Sequence, residues 1–88
     1  MSLYDYWIDG NLDIHDIYTM DSEYITNCLN ALDNCLRIWR NIVPEQLSRE
    51  DMLHIGQPLS KAWFVFNGIE YIDMLCGELE RRKEIENE

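Results

Sequence analysis

The chain has 88 residues, of which 47% are hydrophobic, so its length suits one domain and its composition differs from that of a disordered acidic tail. Its 17 acidic and 7 basic residues give a formal net charge of -10. This surplus argues against nucleic acid and anionic membranes as direct ligands, because clustered lysine and arginine bind those.

A β-hairpin is predicted over residues 1–18, where apolar and polar side chains alternate. The apolar positions of this alternation are Tyr4, Tyr6, Ile8, Leu12 and Ile14. The dipeptide Asp9-Gly10 favours a turn between them, because glycine tolerates positive φ and aspartate bonds its own backbone. An isolated two-stranded hairpin is marginal, so we expect this one to pack on helices.

A helix is predicted over residues 22–41, because apolar residues recur there at steps of three and four and form one stripe. The stripe consists of Ile25, Cys28, Leu29, Leu32, Cys35, Leu36 and Trp39. Asp21 or Ser22 is expected to cap its N-terminus, and Arg37 and Arg40 suit the negative end of its dipole.

A short helix is predicted over residues 48–55, where Ser48 and Asp51 have the spacing of a capping box. Gly56 is expected to end it, and Pro58 to begin the next element.

The last helix is predicted over residues 59–84, with close packing at Gly68 and Gly77, since glycine is otherwise unfavourable in a helix. Its predicted inner face consists of Phe64, Val65, Gly68, Ile69, Ile72, Leu75, Cys76 and Leu79. The two long helices are expected to lie antiparallel. The fold class is therefore mainly α (α+β), with the hairpin and the short helix packed on a helical hairpin.

Catalytic and metal-binding motifs are not found in this sequence. The three cysteines do not form a disulfide framework and lie on predicted core faces, where thiols are inert. His15 and His54 are far apart, no cysteine pair has zinc-knuckle spacing, and there is no glycine-rich phosphate loop. We therefore expect no enzymatic activity, no metal and no cofactor. A deep polar pocket at either histidine would support the hypothesis of an enzyme again.

The acidic residues fall into two groups. The first 36 residues contain seven carboxylates and no lysine or arginine. On the last helix Glu70, Asp73, Glu80 and Glu84 lie within about one quarter of the circumference. Such carboxylates can imitate nucleic-acid phosphates and occupy a basic groove. The alternative is that they are ordinary solvated faces.

Aromatic residues on the same two segments have two interpretations. Trp63, Phe66 and Met74 are expected to project away from the inner face of the last helix, and Tyr4, Tyr6 and Trp7 lie on the hairpin. Hairpin and helix could bury these side chains against one another. Alternatively, they are exposed anchors for a partner or a second subunit, since Trp, Tyr and Met are enriched at interface cores.

The pattern Trp7-x-Asp9-Gly10, Ile14, Met20 and Tyr24-Ile25-x-Asn27-Cys28-Leu29, followed late in the chain by Leu79-Glu80-Arg81-Arg82, resembles small uncharacterised proteins of phages and prophages. The resemblance covers both ends of the chain but not residues 42–60. It implies an accessory protein of a phage. Strongly acidic small phage proteins often resemble inhibitors of host defence, such as anti-CRISPR or anti-restriction proteins. The resemblance supplies no catalytic residues.

From these observations we predict a non-enzymatic inhibitor that binds a basic protein or ribonucleoprotein of the host, with no direct contact to nucleic acid or membrane. The residues predicted to bind are Asp5, Trp7, Asp9, Asp13, Trp63, Phe66, Glu70, Asp73, Glu80 and Glu84. The alternative is a homodimeric scaffold whose acids serve solubility. No apolar run approaches the roughly 20 residues of a membrane span, and the first residues do not resemble a signal segment, so we expect the host cytoplasm.

Overall fold

A computed structural model of the protein describes residues 3–86. The strands are β1 (Tyr6–Ile8) and β2 (Ile14–Asp16), and the helices are α1 (Ser22–Trp39), α2 (Arg49–Leu53) and α3 (Lys61–Glu86). Short 3₁₀ helices are formed by Leu3–Asp5, Ile17–Thr19 and Pro44–Gln46. The mainly α (α+β) class is confirmed. Residues 1 and 2 of the predicted hairpin segment lie outside the described residues.

The hairpin turns at Asp9, as predicted, but with a different backbone geometry. The backbone N–H of Leu12 donates to the Asp9 carbonyl, and that of Asp9 donates to the Asp13 carbonyl, both at 3.0 Å. The residue with positive φ is Leu12 at 66°, and no described glycine has one. In the antiparallel register Trp7 pairs with His15. Trp7 lies between Tyr6 and Ile8 in the strand, so its side chain points to the opposite side of the hairpin. That side faces the core, and Trp7 is 4% exposed.

Helix α1 buries the predicted stripe. Ile25, Cys28, Leu32 and Cys35 are buried in it, and the remaining members are partly buried. Asp21 occupies the N-cap position, although its side chain makes no capping hydrogen bond, and the helix ends at Trp39 rather than at residue 41.

Helix α2 has the predicted capping box. Ser48 Oγ accepts from the Asp51 backbone at 3.1 Å, and Asp51 Oδ2 accepts from the Ser48 backbone at 3.0 Å. The helix ends at Leu53 rather than at residue 55, and its C-cap is His54. Leu59 has a φ of 68°, outside the helical range, so α3 begins two residues later than predicted.

The buried face of α3 is rotated relative to the prediction. Phe64, Gly68 and Leu75 are buried as expected, but the predicted inner residues Ile69 and Cys76 are exposed. Trp63, Tyr71 and Glu78 are buried in their place. The reason is that α3 packs against α1 and also against the hairpin, where the Tyr71 hydroxyl donates to the Tyr6 carbonyl at 2.7 Å.

An aromatic cluster joins the hairpin to α3. The ring of Trp7 lies edge-on to those of Trp63 and Tyr71, with centroids at 5.9 and 5.3 Å, and Trp63 stacks on Tyr71 at 5.6 Å. Trp7 and Trp63 are only 4% and 9% exposed. Their prediction as exposed anchors is therefore wrong, and the interpretation in which hairpin and helix bury them against each other is confirmed.

The two glycines of α3 have different surroundings. A Cβ on Gly68 would lie 2.8 Å from Cγ of Phe64 and closer still to other atoms of that ring, so the predicted close packing exists there. A Cβ on Gly77 would meet no atom within 4 Å, so close packing at Gly77 was a wrong prediction.

Candidate functional site

Most acids of the hairpin are used by the hairpin itself. Asp9 Oδ1 accepts from the backbone N–H groups of Asn11 and Asp13, and Asp9 Oδ2 lies 2.8 Å from His15 Nε2. These hydrogen bonds, that to His15 above all, lower the pKa of Asp9. Asp9 therefore fixes the turn, and a partner would have to compete with those bonds.

Two further hairpin acids also bond to the segment that follows β2. The Tyr18 hydroxyl donates to Asp5 Oδ1 at 3.0 Å, which raises the pKa of Tyr18, and the Tyr18 backbone N–H donates to Asp16 Oδ1 at 2.9 Å. Of the predicted binding acids Asp5, Asp9 and Asp13, the carboxylate of Asp13 is the one without a hydrogen bond or ion pair in the described part of the chain.

Buried Glu78 engages two of the cations near it on α3. Its carboxylate, with the side chain 1% exposed, lies 2.5 and 2.8 Å from Nε and Nη2 of Arg81 and 3.2 Å from Nε of Arg82. Hydrogen bonds from Arg81, and then Arg82, lower the pKa of Glu78. Arg82 also donates to the carbonyls of Ile17 and Tyr18, both at 3.3 Å. Arg81 and Arg82 are therefore bound within the fold.

Of the carboxylates of α3 without such partners, four lie on one side of the helix. Glu70, Asp73, Glu80 and Glu84 are exposed. Within residues 3–86, no hydrogen bond or ion pair reaches any of the four. At 1.5 Å per residue they extend over about 21 Å, in roughly one quarter of the helical circumference. We call these four residues the acidic face.

Apolar side chains lie beside the acidic face. Phe66 is 43% exposed and Ile69 is 50% exposed. Phe66 precedes Glu70 by four residues and Asp73 by seven, so the three share one side of the helix. This half of α3 thus presents an aromatic ring among carboxylates, the combination that protein interfaces use for contact area and orientation.

The thiols have different accessibilities. Cys28 and Cys35 are buried, and burial raises the pKa of Cys28 to about 11, which disfavours a reactive thiolate. Cys76, predicted to be in the core, is exposed on α3. In the region spanning residues 3–86, no group of three His, Cys, Asp or Glu side chains could bind a metal ion.

Comparison with models of known protein families, with curated proteins and with solved structures finds no match for this chain. Among the residues that the structure describes, every helix is too short or too polar to cross a membrane.

Sequence analysis missed the role of Glu78. Its spacing of three and four residues to Arg81 and Arg82 is the signal that indicates an ion cluster. The burial of Glu78 could not be inferred, because Arg82 meets the segment of Ile17 and Tyr18, more than 60 residues away in the sequence.

Proposed function

We propose that this protein is a non-enzymatic inhibitor that binds a basic surface of a host nucleic-acid-handling protein through the acidic face of α3. The observation that supports it most is the set of four unpaired carboxylates on one rigid helix beside exposed Phe66. Two cations of the same helix, Arg81 and Arg82, are bound to Glu78.

The charge density of the acidic face indicates how much of a basic groove it can occupy. Four carboxylates over about 21 Å give one per 7 Å or so, whereas one DNA strand has a phosphate about every 3.4 Å along the axis. The acidic face therefore has roughly half the charge density of one strand. This suits competition for a short stretch of a basic groove, and it falls short of imitating a whole duplex.

The net charge of -10 adds long-range attraction. Steering by charge raises the association rate and is screened over about 8 Å at physiological salt. Affinity also requires desolvated apolar contact, for which Phe66 and Ile69 are placed and the buried Trp7 and Trp63 are not.

The biological setting follows from the resemblance to small phage proteins. An acidic accessory protein made in the cytoplasm of an infected cell would meet the basic clefts of defence nucleases and of related ribonucleoprotein complexes. Occupying such a cleft blocks nucleic acid without catalysis.

The test compares two triple charge reversals. One replaces Glu70, Asp73 and Glu80 by Lys, and the control replaces Asp33, Glu45 and Glu50, which are also exposed and lie elsewhere, by Lys. Each variant and the unaltered protein are immobilised and exposed to host lysate at low and at high salt. We expect the unaltered protein and the control to retain a basic, nucleic-acid-binding protein at low salt. The amount retained by the α3 variant should be at least tenfold lower.

A follow-up assay decides whether the captured protein is inhibited. Its binding to a DNA or RNA oligonucleotide is measured with increasing amounts of each variant, and the α3 variant should no longer compete. Equal capture by both triple variants would refute the role of the acidic face.

A homodimeric scaffold remains the second candidate, favoured by the exposure of Phe66 and Ile69. Sedimentation at several protein concentrations separates the two. A tight dimer that Phe66→Ser dissociates would favour the scaffold. A monomer would exclude the scaffold and keep the inhibitor as the proposed function.

A further inference from the structure

The outer side of the hairpin contains an apolar cleft that the core does not use. The register places Tyr6, Ile8 and Ile14 on the side opposite Trp7 and His15, and Ile8 faces Ile14 directly. Together with Leu3 they line a cleft of about 270 Å³. Leu3 and Ile14 are 68% and 69% exposed, so these large side chains lie in solvent.

The surroundings of this cleft are acidic. Asp16 pairs with Tyr6 in the register and so lies on the outer side, where its Oδ1 accepts from the backbone N–H of Tyr18. No lysine or arginine occurs in residues 3–36. Arg82 approaches the carbonyls beyond the end of β2, but its guanidinium is bound to Glu78. The apolar cleft therefore has the carboxylate of Asp16 beside it and no uncommitted cation from its own segment.

We propose that this outer face of the hairpin is a second docking surface, which binds a basic amphipathic segment of a partner protein. Apolar side chains of that segment enter the cleft, and its lysines and arginines lie against Asp16. This surface consists of residues of the hairpin segment, whereas the acidic face consists of residues of α3, so the two share no residue. It does not depend on the function proposed for α3.

Charge and size favour such a segment over a second copy of the chain. Two copies joined at this face would bring like-charged carboxylates together in a molecule that already has a net charge of -10. Strands of three residues are only about 10 Å long, whereas a stable dimer usually buries roughly 800 Å² per partner. One or two anchoring side chains of a peptide fit the available area.

The test uses a synthetic helical peptide of about 14 residues that repeats Leu-Lys-Lys-Leu-Leu-Lys-Leu, a pattern that places leucine on one face. Binding is followed by fluorescence anisotropy and by chemical shifts of backbone amides. We expect shifts at Ile8 and Ile14. An analogue with Glu in place of Lys should not bind, and a scrambled peptide of the same charge should bind at least fivefold more weakly.

Two variants localise the contact. The double variant Leu3→Ser with Ile14→Thr should weaken binding about tenfold, because it removes exposed apolar contact. Ile38→Thr is the matched control, since Ile38 is 70% exposed on α1, and it should change binding less than twofold. Far-UV circular dichroism and thermal unfolding confirm that each variant is folded.

Charge variants separate this proposal from the one for α3. Asp16→Asn should weaken peptide binding and increase its tolerance of salt, whereas neutralising Glu70, Asp73 and Glu80 should leave the shifts at Ile8 and Ile14 unchanged. Equal binding of the double Leu3/Ile14 variant would overturn the docking surface. Self-association that this variant abolishes would also overturn it, in favour of a second copy as the occupant.

Discussion

Helix α3 contains two glycines, Gly68 and Gly77, and two glutamates, Glu78 and Glu80, that lie two residues apart. In each pair, the first residue is buried and the second is exposed. Gly68 lies under the ring of Phe64, while Gly77 faces open space. Glu78 is buried against two arginines, while Glu80 is exposed without a partner. The inner and outer faces of α3 thus use the same residue types for different purposes.

The difference shows that the role of an acidic residue in this protein depends on the face of the helix on which it lies. The charge of buried Glu78 is compensated by part-buried Arg82 and by exposed Arg81, so its burial does not leave an unpaired charge. The acids of the outer face have no such use within residues 3–86 and are left for solvent or a partner. Substitutions at matched positions on the two faces measure how far this contrast extends.

The largest effect is expected at Glu78. Glu78→Ala should lower the free energy of unfolding by about 3 kcal/mol, because Arg82 would remain part-buried without its counter-charge. Glu80→Ala is the matched control and should change stability by less than about 0.5 kcal/mol. Urea denaturation of both variants gives the comparison, and equal losses would contradict the division between the faces.

Acid should remove the advantage that Glu78 provides. Its pKa is lower in the folded protein than its ordinary value of 4.5, so its contribution is present above pH 4.5 and is lost as the pH falls through the folded pKa. The stability difference between the unaltered protein and Glu78→Gln should be constant near neutral pH and shrink below pH 4.5. A difference that grows in acid would show that the ion cluster is wrongly described.

Gly68→Ala is expected to destabilise the protein by about 2 kcal/mol. The new Cβ would overlap the Phe64 ring, which is 3% exposed and has little room to move. Thermal unfolding would report the loss, and near-ultraviolet circular dichroism would report any displacement of the neighbouring Trp39, whose ring centroid is 6.1 Å from that of Phe64.

Gly77→Ala should act in the opposite direction. Nothing lies near the added Cβ, and alanine favours a helix over glycine by about 1 kcal/mol. The melting temperature should therefore rise. If the same substitution weakens capture of a basic partner, Gly77 serves a close approach by that partner between Asp73 and Glu80.

The smallest effect is expected among the acids themselves. Glu80 and Glu84 are four residues apart on the helix, a spacing at which like charges destabilise by about 0.2–0.5 kcal/mol. Glu84→Gln should therefore stabilise the protein slightly, and added salt should reduce the gain by screening the repulsion. A loss of stability would indicate that Glu84 has a partner within the fold.

Periodicity predicted the helices well and the orientation of α3 poorly. Steps of three and four residues located α1 because its stripe from Ile25 to Leu36 packs mainly against α3. Helix α3 packs against α1 and also against the hairpin segment, so its buried arc includes Trp63, Tyr71 and Glu78, and it excludes Ile69 and Cys76. A pattern based on apolar residues alone cannot identify a glutamate that is buried with its own cations.

The candidate site was predicted in the four carboxylates of α3 and in exposed Phe66, and not in the two tryptophans. Helical spacing placed Glu70, Asp73, Glu80 and Glu84 together, since spacing alone determines which residues share a side of a helix. Whether Trp7 and Trp63 are exposed depends on the docking of the hairpin against α3. That contact joins residues more than 50 positions apart, and no local pattern contains it.

The bonds of Arg82 to the carbonyls of Ile17 and Tyr18 have a consequence during synthesis. They join residues about 65 positions apart, as does the bond from Tyr71 to Tyr6. At about 5–20 residues per second, the N-terminal segment emerges from the ribosome roughly 3–13 s before its C-terminal partners. Trp7 and Ile17 stay accessible to chaperones and proteases over that interval, so the level of the protein in the cell should respond to the speed of translation.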